Sequence, residues 1–135
     1  MAKNILIVGS GRQGISVAYD ILKNSEHNVI ISDVNHEVLD QAMSKISSIV
    51  NTTNLCSEIV DVKDSNAMLK LLENMDVMVS AVPYEFNLAL TELAIKSKTS
   101  MVDLGGHTNI VRQQLSKNQE AISAGVTIVP DCGMG

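Results

Sequence analysis

The segment from Asn4 to Gly14 reads NILIVGSGRQG and decides the fold of this chain. Its apolar run Ile5–Val8 is typical of a buried strand, and a GxGxxG turn follows that run directly. Beyond the turn, apolar residues recur at helical spacing, at Ile15, Ala18 and Leu22. The segment therefore predicts a strand, a tight turn and a helix, which is the opening unit of a nucleotide-binding α/β domain.

The three glycines of this turn have separate predicted roles. Gly9 makes the tight turn, Gly11 lets the backbone approach a diphosphate, and Gly14 lets the helix pack closely on the strand. The first turn of the helix also presents unpaired N–H groups and the positive end of the helix dipole. This arrangement favours a bound diphosphate.

An acidic residue at the end of the second strand indicates which kind of nucleotide binds. Asp33 closes the run Val29–Ser32, nineteen residues after Gly14, where its carboxylate can accept both hydroxyls of an adenosine ribose. A 2′-phosphate would meet a negative charge there, and no Arg or Lys occurs in residues 34–37. The sequence predicts a dinucleotide site that prefers NAD to NADP. Arg12, inside the turn, either faces solvent or reaches a phosphate.

Length and composition exclude several other classes of protein. The chain has 135 residues, enough for one domain with a real core, and a net charge of -5 with no basic tract, which argues against nucleic acid as a partner. Cys56 and Cys132 are far apart and lack zinc-binding spacing, so we expect neither a metal site nor a disulfide framework, and we expect a cytoplasmic location. No apolar run approaches the length of a membrane span, so no membrane association is expected.

Strand-like runs alternate with helix-period segments along the whole chain. This pattern predicts an α/β fold with a doubly wound, parallel, six-stranded sheet in the order 3-2-1-4-5-6, a Rossmann fold covering residues 1–135 as one domain. Asn35, and either Asp64 or Ser65, are predicted helix caps. A fifth helix is predicted over residues 110–124, ending at Gly125, before a sixth strand over residues 126–129.

In such a fold the ligand lies along the carboxyl ends of the strands. Asp61 either accepts a hydrogen bond from the adenine amino group or is an ordinary solvated acid before a helix. The small and apolar residues Ala81–Pro83 leave room beside the sheet's switch point. His107 is either a proton acceptor or substrate contact or simply polar surface, whereas Asp131 is better placed for a reacting molecule than the structural Asp103.

Three later segments carry a family resemblance that covers the chain from about Lys3 to Met134. Residues 79–87 read VSAVPYEFN, residues 101–107 read MVDLGGH, and residues 124–134 read AGVTIVPDCGM. Together they resemble the saccharopine dehydrogenase-like family, with the DLGGH segment most similar to its lysine 6-dehydrogenase branch. The resemblance implies NAD(P)-dependent oxidation at an amino-acid carbon that bears nitrogen.

The resemblance also implies site residues. The residues expected to bind the cofactor are Gly9, Ser10, Gly11, Arg12, Gln13, Gly14, Asp33, Asp61, Val62, Ala81, Val82 and Pro83. Asp61 and Val62 would lie at the adenine and Ala81–Pro83 at the nicotinamide half, while His107 and Asp131, with Gly106, would border the reaction pocket.

The family pattern continues into a second domain, which holds the amino-acid substrate and forms a homodimer. Gly135 stands where that pattern has Ala. We therefore expect this chain to be the cofactor domain of a larger enzyme and to be inactive alone. The alternative is a regulatory nucleotide-sensing Rossmann module, such as those of potassium transport systems, which needs no catalytic residues.

Overall fold

The computed structural model describes residues 1–133, and within them every strand joins one sheet. The strands are β1 (Asn4–Val8), β2 (Asn28–Asp33), β3 (Leu55–Ile59), β4 (Val77–Ser80), β5 (Ser100–Asp103) and β6 (Ile128–Val129). The helices are α1 (Arg12–Asn24), α2 (His36–Ser47), α3 (Ser65–Leu72), α4 (Asn87–Ser97), α5 (Thr108–Leu115) and α6 (Asn118–Ala124), with a short 3₁₀ helix at Tyr84–Phe86. Met134 and Gly135, and with them the departure from the family pattern at Gly135, lie outside the described residues.

The sheet has the order β3-β2-β1-β4-β5-β6, and all five neighbouring pairs are parallel. This confirms the predicted doubly wound fold. Side chains alternate between the two faces of β1, so that Leu6 and Val8 enter one apolar cluster while Ile5 and Ile7 enter the other. Since both faces are covered by helices, the central strand is an almost unbroken apolar run.

Helix caps explain where several elements begin and end. The Asn35 side chain accepts a hydrogen bond from Val38 N at 3.0 Å at the start of α2. Asp64, rather than Ser65, caps α3 by accepting from Ala67 N at 3.1 Å. These caps turn the chain sharply from each strand into the following helix and place the strand ends on one edge of the sheet.

Two predicted elements differ from the structure. The helix predicted over residues 110–124 is divided into α5 and α6, because Ser116 and Lys117 leave regular helix geometry between them. The predicted strand over residues 126–129 is reduced to β6, which pairs with β5 only through Ile128 and Val129. β6 is an edge strand with one neighbour, and its pairing with two residues of β5 fixes its position in the sheet.

None of the helices in residues 1–133 combines the length and the apolar character that crossing a bilayer requires. The longest of them, α1, has 13 residues.

Candidate functional site

A cavity of about 450 Å³ opens at the carboxyl ends of β1 to β4. It brings together the following predicted residues: Gly9, Ser10, Gly11, Asp33, Asp61, Val62, Ala81, Val82 and Pro83. The sequence did not single out the other lining residues, which are Val8, Ser32, Val34, Val60, Lys63 and Phe86. The cavity therefore coincides with the predicted crevice, and its walls are partly apolar.

The turn that forms the floor of this cavity depends on two glycines for protein reasons alone. Gly9 has a φ of +103°, and a Cβ there would lie 2.7 Å from the carbonyl oxygen of Ala81. A Cβ on the buried Gly14 would collide with the carbonyl oxygen of Gly9. Both positions exclude larger residues because the turn is pressed between α1 and the ends of β1 and β4.

Gly11 is different, because nothing in the protein requires a glycine there. Its φ is -74°, which any residue adopts, and a Cβ would meet no atom within 4 Å. The open space lies at the N-terminus of α1, which has no side-chain cap and no acidic residue in its first turn. α2 and α3 have side-chain caps, whereas α4, α5 and α6 have none, as in α1. The open space at Gly11, rather than the missing cap alone, leaves the free N–H groups of α1 available to an external anion.

Asp33 lies at the end of β2 and is bound to the glycine turn. Its Oδ2 accepts hydrogen bonds from Ser10 N at 3.0 Å and Ser10 Oγ at 2.7 Å, and its Oδ1 accepts one from Asn35 N at 3.0 Å. Partial burial opposes ionisation, but the hydrogen bonds from Asn35 and Ser10 outweigh it and hold the pKa of Asp33 below its usual range. Asp33 is therefore a carboxylate at neutral pH.

These bonds also limit what Asp33 can still accept. A carboxylate offers about four lone-pair sites, and three are occupied, so roughly one remains. The sequence expectation was that both ribose hydroxyls bind Asp33. With three acceptor sites occupied, the carboxylate has room for one further donor, and a second would require the Ser10 hydroxyl to turn away.

The segment after β3 forms the far wall of the cavity. The Asp61 carboxylate accepts a hydrogen bond from Lys63 N at 2.9 Å, and Asp64 N donates to the carbonyl oxygen of Asp61 at 2.9 Å. Val62 is half-buried against the core, and Lys63 is exposed. With Val82 and Phe86 across the cavity, Val62 leaves an apolar slot suited to a flat aromatic ring.

The side chains of Arg12 and Gln13 lie outside this cavity. Arg12 is exposed and borders a depression between α1 and α2 with Tyr19 and Lys45. Gln13, and Arg12 as well, border a second depression of about 260 Å³ with Leu104 and Gly133, on the β5 and β6 side of the turn. The structure therefore leaves only the main-chain N–H groups of these two residues for a ligand in the cavity.

A buried carboxylate organises the loops after β5 and β6. Asp103 is inaccessible to solvent and accepts hydrogen bonds from Gly105 N at 2.8 Å, Asp131 N at 2.9 Å and Gln114 Nε2 at 2.7 Å. It thereby joins two loops and α5, which is the structural role expected for it. Asp131 is held in the left-handed region, with a φ of +62°.

The predicted pocket residues His107 and Asp131 are exposed and do not line the main cavity. The His107 ring stacks on Tyr84, with ring centroids 5.1 Å apart and planes inclined at 26°. Tyr84 was not predicted as a site residue. Its position directly after Pro83, among the residues that follow β4, is the sequence feature that could have identified it. The His107 ring therefore has an aromatic neighbour and no hydrogen-bond partner within residues 1–133, while its carbonyl oxygen accepts from Val111 N at 3.1 Å.

A model of one protein family, described as the saccharopine dehydrogenase NADP binding domain, matches residues 5–129. The chain is 27% identical over 134 residues to saccharopine dehydrogenase [NADP(+), L-glutamate-forming] of Saccharomyces cerevisiae, covering 99% of this chain and 28% of that protein. The chain therefore spans little more than a quarter of the relative's length.

Solved structures give the same picture of the fold. The apo, histidine-tagged saccharopine dehydrogenase (L-Glu forming) of Saccharomyces cerevisiae has a TM-score of 0.76 and 25% identity, covering 97% of this chain and 27% of that chain. Pen from Bacillus thuringiensis has a TM-score of 0.72 at 16% identity, covering 95% and 48%, and supports the fold alone. None of these similarities supports the alternative of a potassium-transport sensor.

Proposed function

The chain belongs to the family of saccharopine dehydrogenase NADP binding domains, and from this premise we propose that it holds a nicotinamide dinucleotide for an oxidoreductase that acts on an amino-acid C–N bond. The observation that carries the proposal is the conjunction of Gly11 and the start of α1. An uncapped helix N-terminus faces open space at a residue where the fold itself does not need glycine. A diphosphate accounts for both features, because it needs free N–H donors and close approach to the backbone.

The cavity suggests how the adenosine half would bind. Asp33 accepts a ribose hydroxyl through its remaining lone pair, and the adenine lies in the apolar slot between Val62 and Phe86. Asp61 borders the same slot and is free to accept from the adenine amino group through Oδ2. Gly9, Ser10 and Ala81–Pro83 then enclose the phosphates and the adjoining sugar.

The nicotinamide half would extend past the glycine turn toward the loops after β5 and β6. The depression lined by Gln13, Leu104 and Gly133 lies on that side. When bound, the nicotinamide supplies the chemistry by accepting or donating a hydride. The protein would fix the position of the ring. Asp103, through its hydrogen bonds from Gly105 N and Asp131 N, holds the loops that would carry His107 and Asp131 beside the nicotinamide.

We further propose that NAD is preferred to NADP in this chain. Asp33 is ionised and points at the adenosine ribose site, where a 2′-phosphate would be repelled. The family description and the yeast relative both name NADP, so this chain would differ from its relative in cofactor choice. The structural reason is one carboxylate at the end of β2.

We extend the proposal from the family to the substrate and partners of the whole protein. Residues beyond the cofactor domain would hold an amino acid and would form a homodimer, and the whole protein would work in the cytoplasm. By itself the chain offers His107 and Asp131 as pocket residues, both exposed to solvent. We therefore expect dinucleotide binding, and no turnover, from this chain alone.

Isothermal titration calorimetry with NADH and NADPH tests the proposal. We expect saturable binding with one site per chain and a lower Kd for NADH. Circular dichroism on the same sample establishes that the protein is folded. Folded protein that binds neither dinucleotide would refute the proposed function, and tighter binding of NADPH would refute the argument from Asp33 while leaving the dinucleotide site intact.

A further inference from the structure

Lys63 is the one cationic residue among those that line the cavity in residues 1–133. It follows β3 by four residues and is exposed. Its ammonium group has no salt-bridge partner and no hydrogen-bond partner within this part of the chain, where the two ion pairs are His36–Asp40 and Lys117–Glu92. A lysine of this kind is free to meet a ligand anion.

The main chain around Lys63 is fixed although its side chain is not. Lys63 N donates to the Asp61 carboxylate, Asp64 N donates to the Asp61 carbonyl oxygen, and Asp64 in turn caps α3. Two further contacts tie this segment to the ribose side, because Val60 N donates to the carbonyl oxygen of Asp33 at 3.0 Å and β3 pairs with β2 along its length. The main chain of Lys63 therefore has a defined position in the wall of the cavity that Asp33 also lines.

We propose that Lys63 determines how well this site accepts a phosphate on the adenosine 2′-oxygen, so that NADP binds as a second and weaker cofactor. This inference rests on the proposed dinucleotide site. A 2′-phosphate carries about -1.5 to -2 charges at neutral pH and needs a cation to offset Asp33. The segment after β2 supplies none, since His36 lies beside Asp40 with an Nδ1–Oδ2 distance of 3.2 Å and does not line the cavity.

Charges on neighbouring elements leave Lys63 as the available cation. Asp33 and Asp61 are the acidic residues lining the cavity. Arg12 does not line it and borders two other depressions, one beside Tyr19 and Lys45 and one beside Leu104 and Gly133. NAD places only neutral hydroxyls at this point, so its binding should not depend on Lys63. NADP places a phosphate there, and its binding should.

The test compares NAD⁺ and NADP⁺ in titrations of wild type, Lys63→Met and Lys70→Met. Lys70 is exposed on α3 outside the cavity lining, so Lys70→Met removes the same charge as a matched control. For Lys63→Met we expect NADP⁺ to bind roughly three- to tenfold more weakly, as for an exposed charge-assisted contact, with NAD⁺ changed by less than about twofold. Lys70→Met should leave both unchanged.

Adenosine nucleotides without the nicotinamide half test the contribution of the 2′-phosphate by itself. We expect 2′,5′-ADP to lose affinity for Lys63→Met by a similar factor, with 5′-ADP unaffected, and Lys63→Gln to behave as Lys63→Met does. Equal losses for both cofactors, or no loss for NADP⁺, would overturn the inference. So would a wild type that binds NAD⁺ and shows no NADP⁺ binding at all, whereas failure of both cofactors to bind folded wild type would overturn the dinucleotide site itself.

Discussion

Replacing Gly11 or Gly14 with alanine should distinguish a glycine required for ligand binding, Gly11, from one required for folding, Gly14. At Gly14 the added methyl collides with the carbonyl oxygen of Gly9 in a buried position. Relieving such a clash costs about 3 kcal/mol, the upper end of the usual range for overpacking, because backbone must move, while alanine's better helix propensity returns about 1 kcal/mol. We expect Gly14→Ala to lower the free energy of unfolding by about 2 kcal/mol.

At Gly11 the same substitution meets open space and an ordinary φ. The small loss at the cap position and the reduced entropy of the unfolded chain nearly cancel, so stability should change by less than about 1 kcal/mol. The methyl group would, however, hold a diphosphate away from the N–H groups of α1. Losing one such charge-assisted hydrogen bond costs about 1.5–3 kcal/mol, which corresponds to roughly 10- to 100-fold in Kd.

Wild type, Gly11→Ala and Gly14→Ala should each be measured in two ways. Urea unfolding gives the effect on stability, and calorimetric titration with NADH gives the effect on binding. Gly11→Ala should be as stable as wild type and bind poorly, and Gly14→Ala should be less stable. The reasoning is refuted if Gly11→Ala binds NADH with wild-type affinity, since no diphosphate would then lie against that residue. A fully stable Gly14→Ala would show that the close approach of turn and helix is not as the structure has it.

Four other substitutions, at three positions, test separate parts of the structure. Asp33→Arg should raise the Kd for NADH and lower it for NADPH by exchanging repulsion for attraction, and titration with both cofactors would contradict this if their order stayed the same. Burial opposes the ionisation of Asp33, but its hydrogen bonds outweigh burial and lower its pKa, so the ionised carboxylate stabilises the fold at neutral pH and this effect is lost as the pH falls below about 4. The difference in unfolding free energy between wild type and Asp33→Asn, measured in urea, should therefore shrink between pH 7 and pH 2.5. A constant difference would refute this prediction. Lys98 ends α4 in the left-handed region with a φ of +58°, so Lys98→Gly should stabilise the chain by about 0.5–1 kcal/mol in thermal or urea unfolding, and a loss of stability would contradict the assignment. Asp103→Ala should cost about 2–4 kcal/mol, since Gly105 N and Asp131 N lose a buried acceptor, and a near-neutral effect would show that the two loops are held by other contacts.

The sheet order was predictable because each of its determinants is local. The GxGxxG turn, the caps at Asn35 and Asp64, and the apolar runs that become strands are each readable within a few residues. Handedness of the crossovers then leaves few ways to arrange six parallel strands. The position of the crevice follows from that arrangement, which is why Asp33, Asp61 and Ala81–Pro83 converge on one cavity as the sequence indicated.

The break between α5 and α6 was not predictable from periodicity. Residues 108–124 contain neither glycine nor proline, and apolar spacing continues across the break. The chain leaves helix geometry at Ser116 and Lys117, and the only local sign is that Ser116 and Asn118 are residues that favour helix ends over helix interiors. Such a preference is too weak to divide a helix without tertiary contacts.

Side-chain roles at the site were less predictable than positions, because they depend on partners distant in sequence. Nothing near Asp33 shows that Ser10 occupies two of its acceptor sites, since the two residues are 23 positions apart. Lys63 was not predicted for the same reason, because it lies 30 residues after Asp33 and the segment directly after Asp33 holds no Lys or Arg. A parallel sheet brings the end of β3 next to the end of β2, so the two segments should be considered together.

We therefore expect cofactor choice in this chain to depend on a small number of charges at one end of the cavity. The lining residues place two carboxylates, Asp33 and Asp61, against one ammonium group, Lys63. The Asp33 carboxylate accepts three hydrogen bonds, whereas the Lys63 ammonium group makes none within residues 1–133. The negative charge is therefore held in place, while the positive charge would have to be ordered by the ligand. A preorganised carboxylate favours the ribose hydroxyl at little entropic cost, whereas ordering a flexible lysine for a phosphate costs side-chain entropy. On our proposal this asymmetry would favour NAD, although the chain shares its fold with a relative named for NADP.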